Sequence, residues 1–474
     1  MPLQSRRKFL RTGSALLAAG MPGEAADTPR RPNILFLFPD QHRYDWTGAN
    51  RNLPIHTPNL DRLARRGVRF TKAIVASPLC APSRACLASG KEYDRCRVRD
   101  NGDDYPLDQP TYYGMLRESG YHVAGCGKID LHKASSNWGL DGKHLLPEWG
   151  FSDGIDNAGK MDAIVSGAVQ PKDPYMAYLH RRGLAAAHVA DFRKRAQAGY
   201  AATFPTPLDD SAYCDNWVAK NGLELMKAFP KGKPWHLVVN FTGPHNPEDV
   251  TARMEKLVRD RDFPQPNRSA QFNPETHVAI RQNYTAMVEN IDRWAGVFLD
   301  EVERRGELEN TLVVYSSDHG EMLGDHNRWG KTLPYHASAS VPMIVAGPGV
   351  GKGVVSDALV SHMDLAATYL DYAGVPRPAD MDSRSMRPLL EGKTKAHREF
   401  VRSGLGSWRM IYDGRYKLVR GFDPSRITKE KSAPDTSSGE LPPLLFDLET
   451  DALENINIAE KAPNHVTRLS KFLA

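Results

Sequence analysis

The chain has 474 residues, which is enough for one large α/β domain and a smaller one. Hydrophobic residues make up 41% of it and charged residues 25%, a composition that allows a substantial buried core. The formal net charge is +5, and it falls by three once residues 1–26, with four basic side chains and one acidic one, are set aside. The body is then nearly neutral, which gives no reason to expect nucleic acid as a partner.

The N-terminus has the three parts of an export signal: a basic start, a short apolar run at residues 15–20 and a small-residue end at Ala26. The paired Arg6 and Arg7 before Phe-Leu predict a twin-arginine signal over residues 1–26, with a disordered basic tail as the alternative. We therefore expect a periplasmic, exported protein that uses the twin-arginine (Tat) machinery. The apolar run is too short to cross a bilayer, and the rest of the sequence predicts no membrane span.

The cysteines do not predict a disulfide framework. Their number is odd and they form neither a Cys-x-x-Cys pair nor a zinc-binding spacing. The five are Cys80, Cys86, Cys96, Cys126 and Cys214. One disulfide bond formed in the periplasm is the remaining alternative, and the sequence does not say which two cysteines would form it.

Strand and helix patterns alternate along most of the chain. Apolar runs typical of buried strands lie at residues 33–38, 73–76, 121–125, 236–241, 311–316 and 341–345. Helical patterns lie at residues 57–67, 110–119, 213–229 and 278–305. The alternation predicts an α/β protein with a large, mostly parallel sheet flanked by helices.

Two parts of the chain differ from this pattern. Residues 135–210 are less regular, and their basic clusters predict a solvated helix face, with a substrate-binding wall as the alternative. Short strands separated by turn residues follow residue 395, together with a terminal helix at 464–473 and a polar loop at 424–443. We therefore expect a large domain at 31–395 and a small α+β subdomain, an antiparallel sheet plus a helix, at 396–474.

Reactive polar residues follow the apolar runs at the point where each strand is predicted to end. They are Asp40 and Gln41, Lys128, His245, and Asp318 and His319. A turn at Cys80 follows a fifth run. Ligands of open parallel sheets bind outside the carboxyl ends of the strands, so these residues would meet at one edge if the strands share a sheet.

Four of these residues predict a metal site with mostly oxygen ligands. They are Asp40, Gln41, Asp318 and His319. A single aspartate at a strand end more often caps a helix, but two pairs at two strand ends favour a metal. Carboxylate and amide oxygens suit Ca²⁺, the expected ion, or Mg²⁺, and an imidazole also admits Mn²⁺ or Zn²⁺.

The segment Cys80-Ala81-Pro82-Ser83-Arg84 is unusual for a buried packing element. Pro82 fixes one backbone angle and restrains the residue before it, so Cys80 is presented on a defined turn. Arg84 places a permanent cation close by. The alternative is a small buried cysteine beside a helix start.

This segment resembles the signature of the sulfatases, a branch of the alkaline phosphatase superfamily. The resemblance covers most of the chain from Asn33 onward. Matching pieces are Asp40-Gln41, residues 57–61, residues 80–84, Gly127-Lys128, Pro244-His245, residues 317–326, residues 329–331, Val341-Pro342, residues 416–419 and residues 445–448. Together these motifs are highly specific.

The resemblance implies the chemistry and the role of each residue. In that family a maturation enzyme oxidises the cysteine to formylglycine, and the hydrated aldehyde is the nucleophile that attacks sulfur. By resemblance, the metal binds Asp40, Gln41, Asp318, His319 and an oxygen of the modified Cys80. Arg84 and Lys128 would hold the hydrated aldehyde, while Lys331 and His245 would contact the sulfate and the leaving oxygen. A histidine would then protonate the departing alcohol.

The chain departs from the family pattern at three places. Sulfatases commonly have two aspartates where this chain has Asp40 and Gln41, and the Gln version occurs near choline sulfatases and phosphonate monoester hydrolases. The usual histidine after Lys128 is here Asp130, so either Asp130 or His132 would take that role. A Tyr-Glu pair is frequent where Tyr335 and His336 stand.

We expect an enzyme that hydrolyses sulfate monoesters on a carbohydrate, with a sulfated saccharide as its substrate partner. One alternative is hydrolysis of phosphodiesters or phosphonate monoesters at the same site. A second alternative is a non-catalytic protein that binds sulfated glycans on the same scaffold. The complete set of nucleophile, cations and metal ligands favours an enzyme over the binding protein.

Overall fold

The computed structural model describes residues 31–425 and 441–473, so the predicted signal and most of the predicted polar loop lie outside it. The strands are β1 (Asn33–Asp40), β2 (Gly67–Phe70), β3 (Ala73–Ile74), β4 (His122–Gly127), β5 (Asp153–Asp156), β6 (Trp235–Pro244), β7 (Thr311–Ser316), β8 (Met343–Ala346), β9 (Val354–Ser356), β10 (Val360–Ser361), β11 (Val401–Leu405), β12 (Trp408–Tyr412), β13 (Tyr416–Arg420) and β14 (Leu444–Asp447). The helices are α1 (Pro58–Arg66), α2 (Cys80–Ser89), α3 (Tyr112–Glu118), α4 (Met161–Gly167), α5 (Pro174–Arg181), α6 (Ala185–Ala198), α7 (Cys214–Lys227), α8 (Ala252–Lys256), α9 (Pro274–Arg304), α10 (His336–Ala339), α11 (Asp364–Tyr372), α12 (Arg387–Leu390) and α13 (Pro463–Ser470).

Eight strands form the central sheet, in the order β5-β4-β6-β1-β7-β8-β2-β9. Strands β5, β4, β6, β1 and β7 run parallel to one another, and β8 is antiparallel to both β7 and β2. The prediction of a large, mostly parallel sheet is confirmed. No helix among the described residues is long and apolar enough to cross a membrane.

Strand β1 is apolar on both faces because both faces are covered. Ile34, Phe36 and Phe38 belong to one hydrophobic core, and Leu35 and Leu37 to the core on the opposite side of the sheet. Helices α2, α3 and α11 pack in the first core, and α1, α7 and α9 in the second. Burial of each such side chain contributes about 2 kcal/mol, so this strand anchors the centre of the sheet.

Two predicted strands differ in the structure. Only the first half of the run at residues 73–76 is a strand, β3, and it pairs with β10 in a separate two-stranded sheet. Cys80 therefore does not follow a strand of the central sheet. Strand β8 begins at Met343 rather than Val341, because Pro342 has no N–H to give to a sheet ladder.

The basic cluster at residues 193–195 is not wholly a solvated face. Arg195 is 1% exposed and donates to Asp191 and to the carbonyl oxygens of Ala202 and Phe204. The carboxylate one helical turn earlier gives the guanidinium a buried partner, which the charge pattern alone does not reveal.

Strands β11, β12, β13 and β14 form an antiparallel sheet at the C-terminus, against which α13 packs. The predicted small sheet and terminal helix are confirmed, with β11 as an additional strand. The division of the chain at residues 395 and 396 stays a prediction.

Candidate active site

Four neighbouring parallel strands end at one edge of the central sheet, and each brings a reactive side chain there. The strands are β4, β6, β1 and β7, and the side chains are Lys128, His245, Asp40 and Asp318. The structure therefore brings together the residues whose convergence the strand pattern predicts.

Cys80 joins this edge as the first residue of α2. Its Sγ lies 3.2 Å from His319 Nε2 and 3.8 Å from Asp40 Oδ1. One ligand atom from each of Asp40, Cys80, Asp318 and His319 lies within 4.8 Å of the others, and all four residues are buried. The thiol thus lies directly beside three potential metal ligands.

The surroundings of Cys80 favour its ionised form. Burial and the Asp40 carboxylate oppose ionisation, but the ammonium groups of Lys128 and Lys331 bring the pKa of the Cys80 thiol down to about 6. Residue 80 therefore occupies a position built for a negatively charged group.

Arg84 holds the strand ends together from the second turn of α2. Its Nε donates to Asp318 Oδ2 at 2.9 Å, and its Nη1 donates to Lys128 O at 2.6 Å and to Asn240 Oδ1 at 3.0 Å. Its buried Nη2 has no hydrogen-bond partner among the described residues and lies 3.6 Å from Asp40 Oδ2. One donor of this guanidinium is thus left for a ligand.

Lys331 lies between two of the predicted site residues. Its Nζ donates to Gln41 Oε1 and to His245 Nε2, each at 2.6 Å. His245 Nδ1 in turn donates to Asn246 O, so Nε2 carries the lone pair. Burial and the Lys331 ammonium hold the pKa of His245 well below its usual value, which keeps the ring neutral.

The side chain of Gln41 is fixed by Glu321, which belongs to the matching piece at residues 317–326 but was not predicted as a site residue. Gln41 Nε2 donates to the buried carboxylate of Glu321. Glu321 also accepts from Leu323 N at 3.0 Å and Gly330 N at 2.6 Å. Glu321 follows Asp318-His319-Gly320 directly, so its place beside a strand-end cluster is the signal that could have identified it.

Asp130 and His132, the two candidates for the role of the histidine that usually follows Lys128 in the family, lie in different surroundings. Asp130 Oδ2 lies 3.3 Å from Lys128 Nζ and 3.2 Å from Lys133 Nζ. His132 instead pairs with Asp156, 2.8 Å from Nε2 to Oδ2, and packs edge-on against two tryptophans. The contacts of His132 are those of a buried histidine–aspartate pair with a structural role. A catalytic role for His132 stays a prediction.

A cavity of about 420 Å³ adjoins the cluster. Lys128, His245 and Lys331 line it, so it ends against the residues around Cys80. Its other charged lining residues are Lys133, Lys160, Asp162 and Arg328. The sequence did not predict Lys133, which lies just before the irregular stretch at residues 135–210, or Asp162, which lies within it, because no pattern there places either side chain.

The donor set fits a divalent cation. Two carboxylates and an imidazole converge on residue 80, and hard cations prefer oxygen ligands of this kind. The unpartnered Nη2 of Arg84 and the ammonium of Lys128, which contacts Asp40, fit an oxygen-bearing group at position 80. The amide oxygen of Gln41 already accepts from Lys331, and whether it also binds a metal stays a prediction.

Comparison with known proteins identifies the family. The family model described as Sulfatase matches residues 32–375, well over half of the chain. The chain belongs to the sulfatase family. An arylsulfatase of Clostridium perfringens is 26% identical over 471 residues, covering 94% of each chain. An N-acetylglucosamine-6-O-sulfatase of Bacteroides thetaiotaomicron is 28% identical over 432 residues, covering 81% of this chain and 75% of its own length.

The fold of this sulfatase is shared with solved structures of other proteins. A phosphonate monoester hydrolase from Silicibacter pomeroyi superposes with a TM-score of 0.75 and 23% identity, covering 93% of this chain and 94% of the other. At that identity the likeness concerns the fold and not the reaction.

Proposed function

We propose that this sulfatase hydrolyses sulfate monoesters on an anionic saccharide, with formylglycine made from Cys80 and a bound divalent cation. The observation that carries the proposal is the contact of Cys80 with His319 and Asp40 inside a ring of cations. A buried structural cysteine would have apolar neighbours instead.

We propose that Asp40, Asp318, His319 and Gln41 hold the cation, together with residue 80. When bound, the cation and the hydrated aldehyde supply an acidified hydroxyl as the nucleophile. The unpartnered Nη2 of Arg84 is proposed to donate to an oxygen of the modified residue 80. Lys128, whose ammonium contacts Asp40, is proposed to do the same. Both side chains are fixed before substrate binds, so they stabilise negative charge without reorganising.

Lys331 and His245 are proposed to bind the sulfuryl oxygens and the leaving oxygen. The ring of His245 is neutral, and its Nε2 accepts a hydrogen bond from Lys331 Nζ. The proton held between these two nitrogen atoms is the one available to a departing alcohol. His132 lies outside this arrangement, and Asp130 orients Lys128 instead.

The lining of the cavity favours a saccharide over a small aromatic ester. Five of its residues are basic and one is acidic, and the amides of Asn101, Asn246, Gln271 and Asn327 add hydrogen-bonding groups. Lys133 and Asp162 form an ion pair of 2.9 Å at the cavity wall, so a donor and an acceptor lie side by side, as a sugar hydroxyl requires. The Bacteroides relative, named for a sulfated amino sugar, supports the same substrate class.

The Asp162→Asn variant separates these substrate classes. We expect it to raise KM for a sulfated saccharide roughly tenfold, because an amide oxygen is a weaker acceptor for a sugar hydroxyl than a carboxylate. KM for an aryl sulfate that is too small to reach Asp162 should change little. Steady-state kinetics on both esters give the comparison. Asp300→Asn, at an exposed ion pair with Arg62, is the control. Equal changes on both esters would contradict a saccharide contact.

Phosphodiester or phosphonate monoester hydrolysis is the second candidate, suggested by Gln41, which stands where sulfatases commonly have an aspartate. Rates on a sulfate ester and a matched phosphodiester, measured with the same leaving group, decide between them. We expect the sulfate ester to react faster by orders of magnitude. The reverse preference would overturn the sulfatase assignment, and no release from either ester would favour the glycan-binding protein.

Maturation and export complete the proposal. A formylglycine-generating enzyme would oxidise Cys80, and the Tat machinery would carry the protein into the periplasm under the signal at residues 1–26. Because the Tat machinery exports folded proteins, Cys80 would be oxidised to formylglycine before the protein leaves the cytoplasm. Ca²⁺ is the proposed ion, with Mg²⁺ or Mn²⁺ as the alternatives. The proposed division is a catalytic domain at 31–395 and a small subdomain at 396–474.

A further inference from the structure

The backbone next to Lys331 is held in an unfavourable conformation. Residues 331–336 are called the Lys331 segment here. Within it, Thr332 has φ of +76°, a left-handed conformation that is rare for a β-branched residue. Thr332 N donates to Pro78 O at 3.0 Å, two residues before Cys80. Contacts with the rest of the protein, and not local preference, therefore fix this backbone.

The C-terminal sheet supplies the contacts on the opposite side of the Lys331 segment. Trp408 Nε1, on β12, donates to Thr332 O at 3.1 Å. Lys417 Nζ, on β13, donates to Pro334 O at 2.6 Å. Trp408 is 5% exposed and Lys417 is fully buried, so water does not compete for either carbonyl.

A buried ion pair extends this contact. Lys417 pairs with Glu454, and Glu454 Oε2 accepts from His336 N at 2.6 Å. The two side chains are almost completely shielded from solvent. Loss of either partner would leave a buried charge, so the pair holds the far end of the Lys331 segment in one place.

Both polar groups of the Thr332 backbone are thus engaged, the N–H by Pro78 just before α2 and the carbonyl by the C-terminal sheet. The backbone at Lys331 cannot shift relative to Cys80 without straining one of these bonds. Its Nζ must stay within 2.6 Å of both His245 Nε2 and Gln41 Oε1 to keep the arrangement described above. Displacements of about 1 Å at such a group lower rates strongly.

We infer that Trp408 and Lys417 are positioning residues, through which the C-terminal sheet sets the place of Lys331 in the active site. The inference rests on the proposed function, because it takes Lys331 as the cation that receives the sulfuryl group. Neither Trp408 nor Lys417 lines the cavity, so each acts through the Lys331 segment.

Trp408→Phe is the sharpest test because it removes the indole N–H and keeps an aromatic ring. In full-length protein with formylglycine at position 80, we expect kcat/KM for a sulfate ester to fall about tenfold, with a similar loss of affinity for inorganic sulfate as a competitive inhibitor. Trp235→Phe is the matched control, since Trp235 Nε1 donates to Glu307 Oε2, also at 3.1 Å, at the start of β6. We expect this control to keep both values within about twofold.

A double-mutant cycle separates positioning from general destabilisation. In a Lys331→Met background, we expect Trp408→Phe to have no further effect on kcat/KM, because the group that it positions is gone. A second variant, Lys417→Met combined with Glu454→Gln, removes the other contact without leaving a buried charge, and we expect the same behaviour.

Two results would overturn the inference. One is unchanged kinetics in both the Trp408 and the Lys417 variants, and the other is a Trp408→Phe effect of equal size with and without Lys331. In both cases the proposed function would stand if the wild-type protein releases sulfate and Lys331→Met does so with a strongly lowered but measurable kcat/KM. A wild-type protein with formylglycine that releases no sulfate would overturn the proposed function and this inference together.

Discussion

The Cys80→Ala variant should release sulfate roughly 10⁴-fold more slowly than the wild-type protein, or not at all. Alanine has no atom that could attack sulfur and none that could bind a cation beside Asp40 and His319. Sulfate release from a soluble ester under saturating substrate measures the effect. Removal of one small buried side chain should leave the fold intact, which circular dichroism and thermal unfolding verify.

Cys86→Ala is the matched control for Cys80→Ala. Cys86 lies in the same helix, is equally buried and belongs to a hydrophobic core. We expect this variant to lose some thermal stability through a small cavity and to keep its kcat. Comparable activity in Cys80→Ala and wild type would contradict a nucleophile at residue 80.

The Asp318→Asn variant should lower kcat/KM on the order of 10²–10³-fold. Asp318 Oδ1 accepts from Gln41 N and His319 N, each at 2.9 Å, while Oδ2 accepts from Arg84 Nε. An amide would turn an NH₂ group toward at least one of these donors and would remove a negative charge from the proposed metal site. Activity and bound metal, the latter by atomic emission, should fall together.

Asp292→Asn controls for the loss of a buried aspartate. Asp292 accepts from Leu60 N at 2.7 Å and from Asn59, between α1 and α9 and away from the proposed metal site. We expect it to lower the melting temperature while metal content and kcat/KM stay close to wild type. Full metal content in Asp318→Asn would contradict the proposed ligand set.

The centre of the fold could be predicted because its signal is local. Strands β1, β6 and β7 are buried on both faces, so their sequences are continuous apolar runs that end abruptly in polar residues. Parallel strands place such ends at one edge, and this is enough to bring Asp40, His245 and Asp318 together.

The surroundings of Cys80 were less predictable. The first half of the short run before it is β3, which pairs with β10 from almost 290 residues later in the chain, and no local pattern predicts that pairing. The position of Cys80 at the start of α2, beside the sheet edge, comes instead from packing of the helix against the first core.

The walls of the cavity and its supports could not be predicted from local patterns. Lys133 and Asp162 approach each other across an irregular stretch, and Lys417 reaches the Lys331 segment from a separate sheet. Hydrogen bonds from a side chain to a distant carbonyl leave no periodic trace in the sequence. The one hint in β13 is that Lys417 stands directly before the apolar residues Leu418 and Val419 of the strand.

Mass spectrometry of the tryptic peptide 73–84, on protein produced together with an active maturation enzyme, tests the central claim most directly. Our account predicts an aldehyde at residue 80, while the thiols of Cys86 and Cys96 in the same digest stay unmodified. An intact thiol at residue 80, under conditions in which the maturation enzyme converts a known substrate, would contradict the nucleophile proposed here.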